Sequence, residues 1–292
     1  LGFMTPFVWM FISSYEELRI FLLKQKTITS LIQLEYSGFE GATVPICTFT
    51  IQNEHNSKYY AGYVKLSEFR GSANQAPKTL EAIKNPDCGW FYSVLSNEFN
   101  KIEGSPFLYW LSKNYRKVFE SKKNLSSICK IKQGLATCNN EKFLRLWFEV
   151  SYRNSNFNCR ERRFTKEVQQ KWYPYNKGGG YRNWYGNNNY LVNWKNDGLE
   201  IHEYSKIPLD YAGAPVRAKE FYFKSGITYG LISSYGFSAR FVPSGFIFDV
   251  GGSMIFPEVD MQGLTGFLCS KIANYSISSL NPTLNFQVGD VR

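Results

Sequence analysis

The stretch Lys171–Lys195 concentrates side chains that could handle nucleic acid. It carries Trp172, Tyr173, Tyr175, Tyr181, Trp184, Tyr185, Tyr190 and Trp194, interleaved with Lys171, Lys177, Arg182 and Lys195 and with Asn176, Asn183 and Asn187 to Asn189. Cations of this kind hold phosphates, asparagine amides match the adenine edge, and aromatic faces stack on exposed bases. Alternate aromatics are also what the core face of a strand carries, so each ring has a plain packing reading beside the functional one.

A second stretch has the same flavour. Lys130-Ile131-Lys132-Gln133-Gly134 is a basic strand running into a polar loop with Thr137, Asn139 and Asn140. It suits a DNA-facing loop or an ordinary β-turn. If the electrostatic reading holds, Lys130, Lys132, Lys171, Lys177, Arg182 and Lys195 share one surface. Gly178-Gly179-Gly180 lacks the spacing and the following lysine of a phosphate-binding loop, and reads as a turn or a close backbone approach to DNA.

Other chemistries find little support. The two histidines, His55 and His202, lie in polar stretches and read as exposed. No G-x-S-x-G elbow is present, and the carboxylates are too sparse for glycosidase or metal-nuclease work. Cys47, Cys88, Cys129, Cys138, Cys159 and Cys269 form no C-x-x-C pair, which argues for free thiols of a reducing, cytoplasmic setting and against structural zinc.

The positive charge has a location. Residues 121–224 hold 19 Lys/Arg against 9 Asp/Glu, whereas residues 1–120 hold 12 against 11, within a net charge of +10 over 292 residues. Concentrated charge of this sign suits a polyanion, because binding phosphates releases counterions; a merely soluble basic face is the plainer reading. No apolar run approaches the roughly 20 residues of a membrane helix, so no membrane partner is expected. Leu1–Ile12 lacks the features of a signal peptide, and a chain opening in mid-strand without methionine is expected to be a fragment.

The elements that must position these residues fall into three textures. Leu1–Ile12 reads as a strand, Tyr15–Lys26 as a helix with Leu18, Phe21 and Leu22 on its inner face, and Thr27–Tyr36 and Thr43–Ile51 as strands about the turn Ser37-Gly38-Phe39-Glu40-Gly41. Residues 53–125 read as a connecting region, with a short helix at Leu80–Lys84 and an amphipathic one at Phe107–Lys122 that carries Tyr109, Leu111 and Val118. From residue 126 short strands alternate with Gly- and Asn-rich turns up to a last helix at Met261–Ser278. The expected fold class is therefore α/β plus β-rich.

Six stretches carry a family resemblance: Leu1–Leu23, Leu31–Phe49, Lys132–Val150, Lys171–Trp194, Phe246–Phe256 and Leu280–Gly289. Together they resemble the adenine-specific DNA methyltransferases of bacterial BREX phage-defence systems, over nearly the whole chain. The resemblance implies a Rossmann-like catalytic domain followed by a target-recognition domain. It assigns residues 1–52 to the last strands of the methyltransferase sheet and residues 126–292 to a mixed α+β, DNA-binding domain. The family's Gly-rich and Asn-Pro-Pro-Tyr/Phe motifs have no match; Asn85-Pro86 is followed by Asp87-Cys88, and Asn281-Pro282 by Thr283-Leu284.

The resemblance therefore implies that S-adenosylmethionine is used by the intact enzyme and not held by this fragment. The expected partners are double-stranded DNA, a missing N-terminal catalytic part and other defence-system proteins. Phe39 matches the turn whose aromatic packs on the flipped adenine. No other catalytic residue and no metal site is expected. Two alternatives remain: a non-catalytic specificity subunit of a restriction-modification system, and a protein-docking module of a defence complex.

Overall fold

The computed structural model describes residues 1–39, 44–119, 124–166, 168–281 and 285–291. The chain divides into two compact units, Leu1–Lys122 and Lys123–Arg292.

The first unit is built on a five-stranded sheet ordered β1-β3-β2-β4-β5, from β1 (Gly2–Pro6), β2 (Thr27–Gln33), β3 (Ile46–Gln52), β4 (Tyr60–Lys65) and β5 (Phe91–Leu95). Only β2 and β4 run parallel; the other pairs are antiparallel. These strands by themselves thus form a mixed sheet. Residues 53–125 do not act as a connector, because β4 and β5 complete the sheet begun by β1 to β3. Tyr63 of β4 is fully buried and stacks on Tyr109 at 4.8 Å, and the Tyr109 hydroxyl donates to Gln33 Oε1 of β2 at 2.7 Å.

Several elements depart from the sequence pattern for visible reasons. The first strand stops at Pro6 and passes into a 3-10 turn, Phe7–Met10. Helix α1 (Glu16–Gln25) turns Arg19, Leu22 and Leu23 inward and leaves Leu18 and Phe21 exposed. The rotation places the Arg19 guanidinium on the carbonyls of Gly104, Trp9 and Ile12, at 2.8, 2.9 and 2.7 Å. Those bonds satisfy groups whose burial unpaired would be costly.

Helix α2 (Ser72–Lys84) runs through Pro77 and far exceeds the short helix expected; its buried Ala82 packs in one cluster with Val64 and Leu66. Helix α3 (Lys113–Phe119) begins late, because Phe107 to Leu111 enter the core as a non-helical segment, with Phe107 stacked on Phe99 at 4.5 Å. Val118, expected on the inner face, is exposed.

The second unit combines two four-stranded sheets. One, ordered β11-β10-β13-β6, is antiparallel throughout and comprises β6 (Cys129–Lys132), β10 (Gly226–Tyr229), β11 (Ala239–Val242) and β13 (Met254–Pro257). The other, ordered β12-β8-β9-β7, comprises β7 (Leu144–Leu146), β8 (Trp172–Asn176), β9 (Tyr190–Asn193) and β12 (Ile247–Phe248), with β12 parallel to β8.

Helix α4 (Asn140–Phe143) precedes β7, and α5 (Lys195–Ser205) follows β9. The expected last helix is two, α6 (Met261–Leu268) and α7 (Lys271–Leu280); Ser270 restarts the chain as a cap accepting from the Ala273 amide. Tyr173, Tyr175 and Trp194 are fully buried with Phe248 and Met254, so the packing reading holds for these three rings. Helices α6 and α7 cover the β11-β10-β13-β6 sheet through Leu264, Leu268 and Ile277, in a cluster with Ile227 and Ile255.

Candidate nucleic-acid interface

Lys177–Asn189 connects β8 to β9 in the second unit as a braced loop. At its start Gly178 adopts φ +85, and a Cβ there would lie 2.2 Å from the Gly251 carbonyl oxygen. The close approach that requires glycine is therefore to the protein's own backbone. Arg240, fully buried in β11, donates to the Gly178 carbonyl at 3.2 Å and to the Arg182 carbonyl at 3.4 Å. Burial, aided by Arg182 nearby, pushes its pKa down to about 10, which leaves it charged at neutral pH. Trp184 is bonded to the edge of β11 on both sides: its amide donates to Ala239 O at 3.0 Å, and the Phe241 amide donates to its carbonyl at 2.8 Å. The Asn187 amide closes the loop onto Gly180 O at 3.0 Å.

The bracing holds large side chains in solvent. Trp184 is 59% exposed and Tyr185 57%; Tyr181 and Arg182 are also exposed, with Tyr181 against Tyr235 at 6.2 Å. Trp184 does so at φ +74, a conformation unusual for a bulky residue and most often kept where it serves a purpose. A cation among exposed rings on a fixed backbone is suited to phosphate contact and base stacking.

The structure sorts the other sequence candidates. Asn176 is fully buried; its amide donates to Thr228 Oγ1 at 2.7 Å and Gly252 O at 3.1 Å, and its oxygen accepts from the Gly178 amide at 3.4 Å. It is a structural residue and cannot reach a base. Asn183 donates to the Tyr181 hydroxyl at 3.2 Å, while its Oδ1 has no hydrogen-bond partner among the described residues. Lys177 is partly buried, 3.7 Å from Asp249, which also accepts from the Tyr175 hydroxyl at 2.6 Å.

Asn139 caps α4 by accepting from the Lys142 amide at 3.0 Å and donates to the Tyr204 hydroxyl at 3.2 Å. Asn140 accepts from Thr137 at 2.7 Å. Lys130 points outward from β6 and pairs with Glu258 at 3.4 Å; Lys132 lies over the Phe221 ring at 5.2 Å.

The six cations, expected on one surface, fall at different places within the second unit. Lys171 and Lys177 stand at opposite ends of β8, roughly 20 Å apart at strand rise. Lys171 pairs with Glu200 at 2.8 Å, and Lys195 is placed at the same end by the Trp172–Asn193 register. Lys177 and Arg182 belong to the loop end, while Lys130 and Lys132 sit in the other sheet.

In the first unit Phe39 is 45% exposed, on a turn where the Gly38 amide donates to Glu35 O at 2.9 Å. The buried Gln75 braces that turn by accepting from the Glu35 amide at 3.1 Å. Glu40 and Gly41 of the same turn, and Pro282 to Leu284, lie outside the described residues.

His202, read as exposed, is 1% exposed on α5, and burial next to Lys219 lowers its pKa. Sequence reasoning passed over Arg160, Arg162, Arg163 and Lys166, four cations within seven residues, and the exposed aromatics Trp147, Phe148 and Tyr152 just before them. The signal was a short basic run following an aromatic one. Among the described residues no cluster of His, Cys, Asp and Glu is arranged to hold a metal, and no helix is long and apolar enough to cross a membrane.

No protein-family profile matches the chain. Over 97% of its length it is 35% identical to the adenine-specific methyltransferase BrxX of Escherichia coli O9:H4 (strain HS). Over 98% it is 32% identical to the adenine-specific methyltransferase PglX of Lacticaseibacillus casei (strain Zhang). The chain is homologous to a part of the BrxX and PglX adenine-specific methyltransferases. It spans 22% of the length of BrxX and 24% of that of PglX. Its fold is similar to part of the Type IIL restriction-modification enzyme MmeI, solved in complex with DNA, with a TM-score of 0.55 over 98% of this chain and 37% of that one, at 11% identity.

Proposed function

We propose that this chain is the DNA-recognition portion of an adenine-specific methyltransferase acting in phage defence, with the second unit reading duplex DNA through the Lys177–Asn189 loop. The observation that carries the reading is the presentation of Tyr181, Arg182, Trp184 and Tyr185 to solvent on a backbone fixed by the buried Arg240. Homology to BrxX and PglX, and the likeness in fold to a DNA-bound restriction-modification enzyme, support it.

In the parent enzyme the first unit would form the end of the catalytic, Rossmann-like sheet. Its edge strand β1 leaves Phe3 and Met4 exposed, an apolar rim suited to further strands. Phe39 would then pack on the adenine extruded for reaction, since the exocyclic amine is paired inside a duplex.

The parent's methyl donor is S-adenosylmethionine. In the Gly178–Gly180 turn, Gly178 leaves room for the Gly251 carbonyl of the protein's own backbone, so that approach is not a cradle for the donor. No step of the transfer is assigned to this chain. The test is duplex binding by the whole chain across a salt series. Binding that weakens with salt, and weakens further in Arg182→Ala and Trp184→Ala at unchanged melting temperature, is expected. Salt-independent binding, or variants that bind as the wild type does, would remove the loop from the interface.

A further inference from the structure

A cleft in the second unit, away from the braced loop, is built for an anion. The 3-10 turn Arg162–Lys166 packs on α5, and together with the stretch around Lys219 to Lys224 it encloses about 610 Å³. Six cationic side chains line the cleft, Arg160, Arg162 and Lys166 among them, against three carboxylates. Two of those carboxylates are already engaged. Glu161 pairs with Arg163 at 2.8 Å in solvent, and Asp197 receives Arg162. The charge left over is positive.

The Arg162 site is held by unusual backbone. Asn196, Asp197 and Gly198, at the entry to α5, are three consecutive residues in the left-handed conformation, with φ of 51, 62 and 81. Gly198 is obligatory, because a Cβ there would lie 2.5 Å from the Trp194 ring. The left-handed turn carries the Asp197 carboxylate, 1% exposed, to Arg162, which donates to it from Nε at 2.7 Å and again from Nη2. An arginine has five N–H donors; two meet Asp197, and the other three have no partner among the described residues and lie in the same plane. Strain of this kind persists where the surrounding structure over-determines it, and it clusters at ligand sites.

The lining supplies a second, independent observation. Tyr222 is 2% exposed, and its buried hydroxyl has no hydrogen-bond partner among the described residues. Burial pushes its pKa well above the usual value, so the group is a neutral O–H donor at any physiological pH. A buried donor without an acceptor, in a cleft of surplus positive charge, is a site waiting for oxygen.

We propose that this cleft binds a phosphate group, with the free edge of Arg162 and the Tyr222 hydroxyl donating to its oxygens and Arg160 and Lys166 supplying charge at the mouth. The phosphate would come either from a free nucleotide or from a DNA backbone. The cleft lies at the α5 end of the β8–β9 sheet and the braced loop at the other, so this site does not depend on the loop's role.

Titration of the full chain with inorganic phosphate, followed by ³¹P line broadening and calorimetry, tests it. Saturable binding is expected, weakened about ten-fold in Tyr222→Phe and at least as much in Arg160→Ala/Lys166→Ala, as loss of one hydrogen bond to a charged group implies. Circular dichroism melts of both variants should match the wild type; if Tyr222→Phe is unstable, the Arg160/Lys166 variant, changed only at exposed positions, carries the test. AMP binding more tightly than phosphate and resisting displacement by a duplex would identify a nucleotide as the source; displacement of phosphate by the duplex would identify the backbone. No saturable binding, or equal binding by wild type and the folded variants, would overturn the proposal.

Discussion

Asn176 and Arg182 lie six residues apart, one fully buried and the other exposed. Asn176 spends both polar atoms inside the unit, on Thr228, Gly252 and Gly178. Asn176→Ala would leave those groups unpaired, so a loss of about 2–3 kcal/mol is expected in urea unfolding, with the salt dependence of DNA binding unchanged. Arg182, exposed beside three rings, should behave in the opposite way. Arg182→Ala is expected to leave stability intact and to lower the salt slope by about one unit, as for one phosphate contact. Phe39→Ala belongs in the parent enzyme. There the loss of base stacking is expected to cost about 1–3 kcal/mol, read as lower 2-aminopurine fluorescence at the target base. Unchanged fluorescence and activity would leave Phe39 a structural residue of the turn.

Among the elements, the β8–β9 loop depends on a few backbone contacts. Gly178 sits at positive φ with Gly251 against it, and Arg240 ties both Gly178 and Arg182. Gly178→Ala must move the loop or the turn that holds Gly251. The expected result is a loss of about 1–3 kcal/mol, in the range of stored backbone strain, accompanied by weaker duplex binding. Amide exchange across residues 181–186 should quicken in the same variant. Unaltered exchange there would mean that Arg240 alone fixes the loop. The first sheet makes the same point about elements. β4 and β5 come from a segment with weak periodicity, yet they complete the sheet by pairing through Tyr63 and its partners.

For the whole molecule, one titration reaches overall stability. His202 is buried on α5, and burial together with the Lys219 charge lowers its pKa from the ordinary 6.5. The unfolded chain therefore takes up this proton first as pH falls. The stability tied to neutral His202 is complete above the ordinary value and is lost as pH drops through it toward the lowered one. The melting temperature should fall between pH 7.5 and pH 5, and His202→Gln should flatten that dependence. Calorimetric titration of the chain with S-adenosylmethionine should give no heat above dilution; micromolar binding would mean that a donor site exists outside the Gly178–Gly180 turn.

Local chemistry along the chain determined what kind of molecule this is: the basic middle third, the aromatic and asparagine-rich loop, the β-rich second half, and the stretches resembling adenine methyltransferases. Composition and short-range pattern suffice for these because charge, turn residues and apolar runs act over a few residues. Which aromatics serve packing and which face solvent was settled only by tertiary structure. Tyr173, Tyr175 and Trp194 go into the core while Tyr181, Trp184 and Tyr185 stay out, because strand register and the hydrogen bonds to β11 choose the face. The division of the cations between the two ends of β8, and the seating of Arg162 on Asp197 through a left-handed turn, likewise depend on residues brought together from distant parts of the chain. Sequence spacing carries no record of such contacts, since they form only once the sheets and their registers exist.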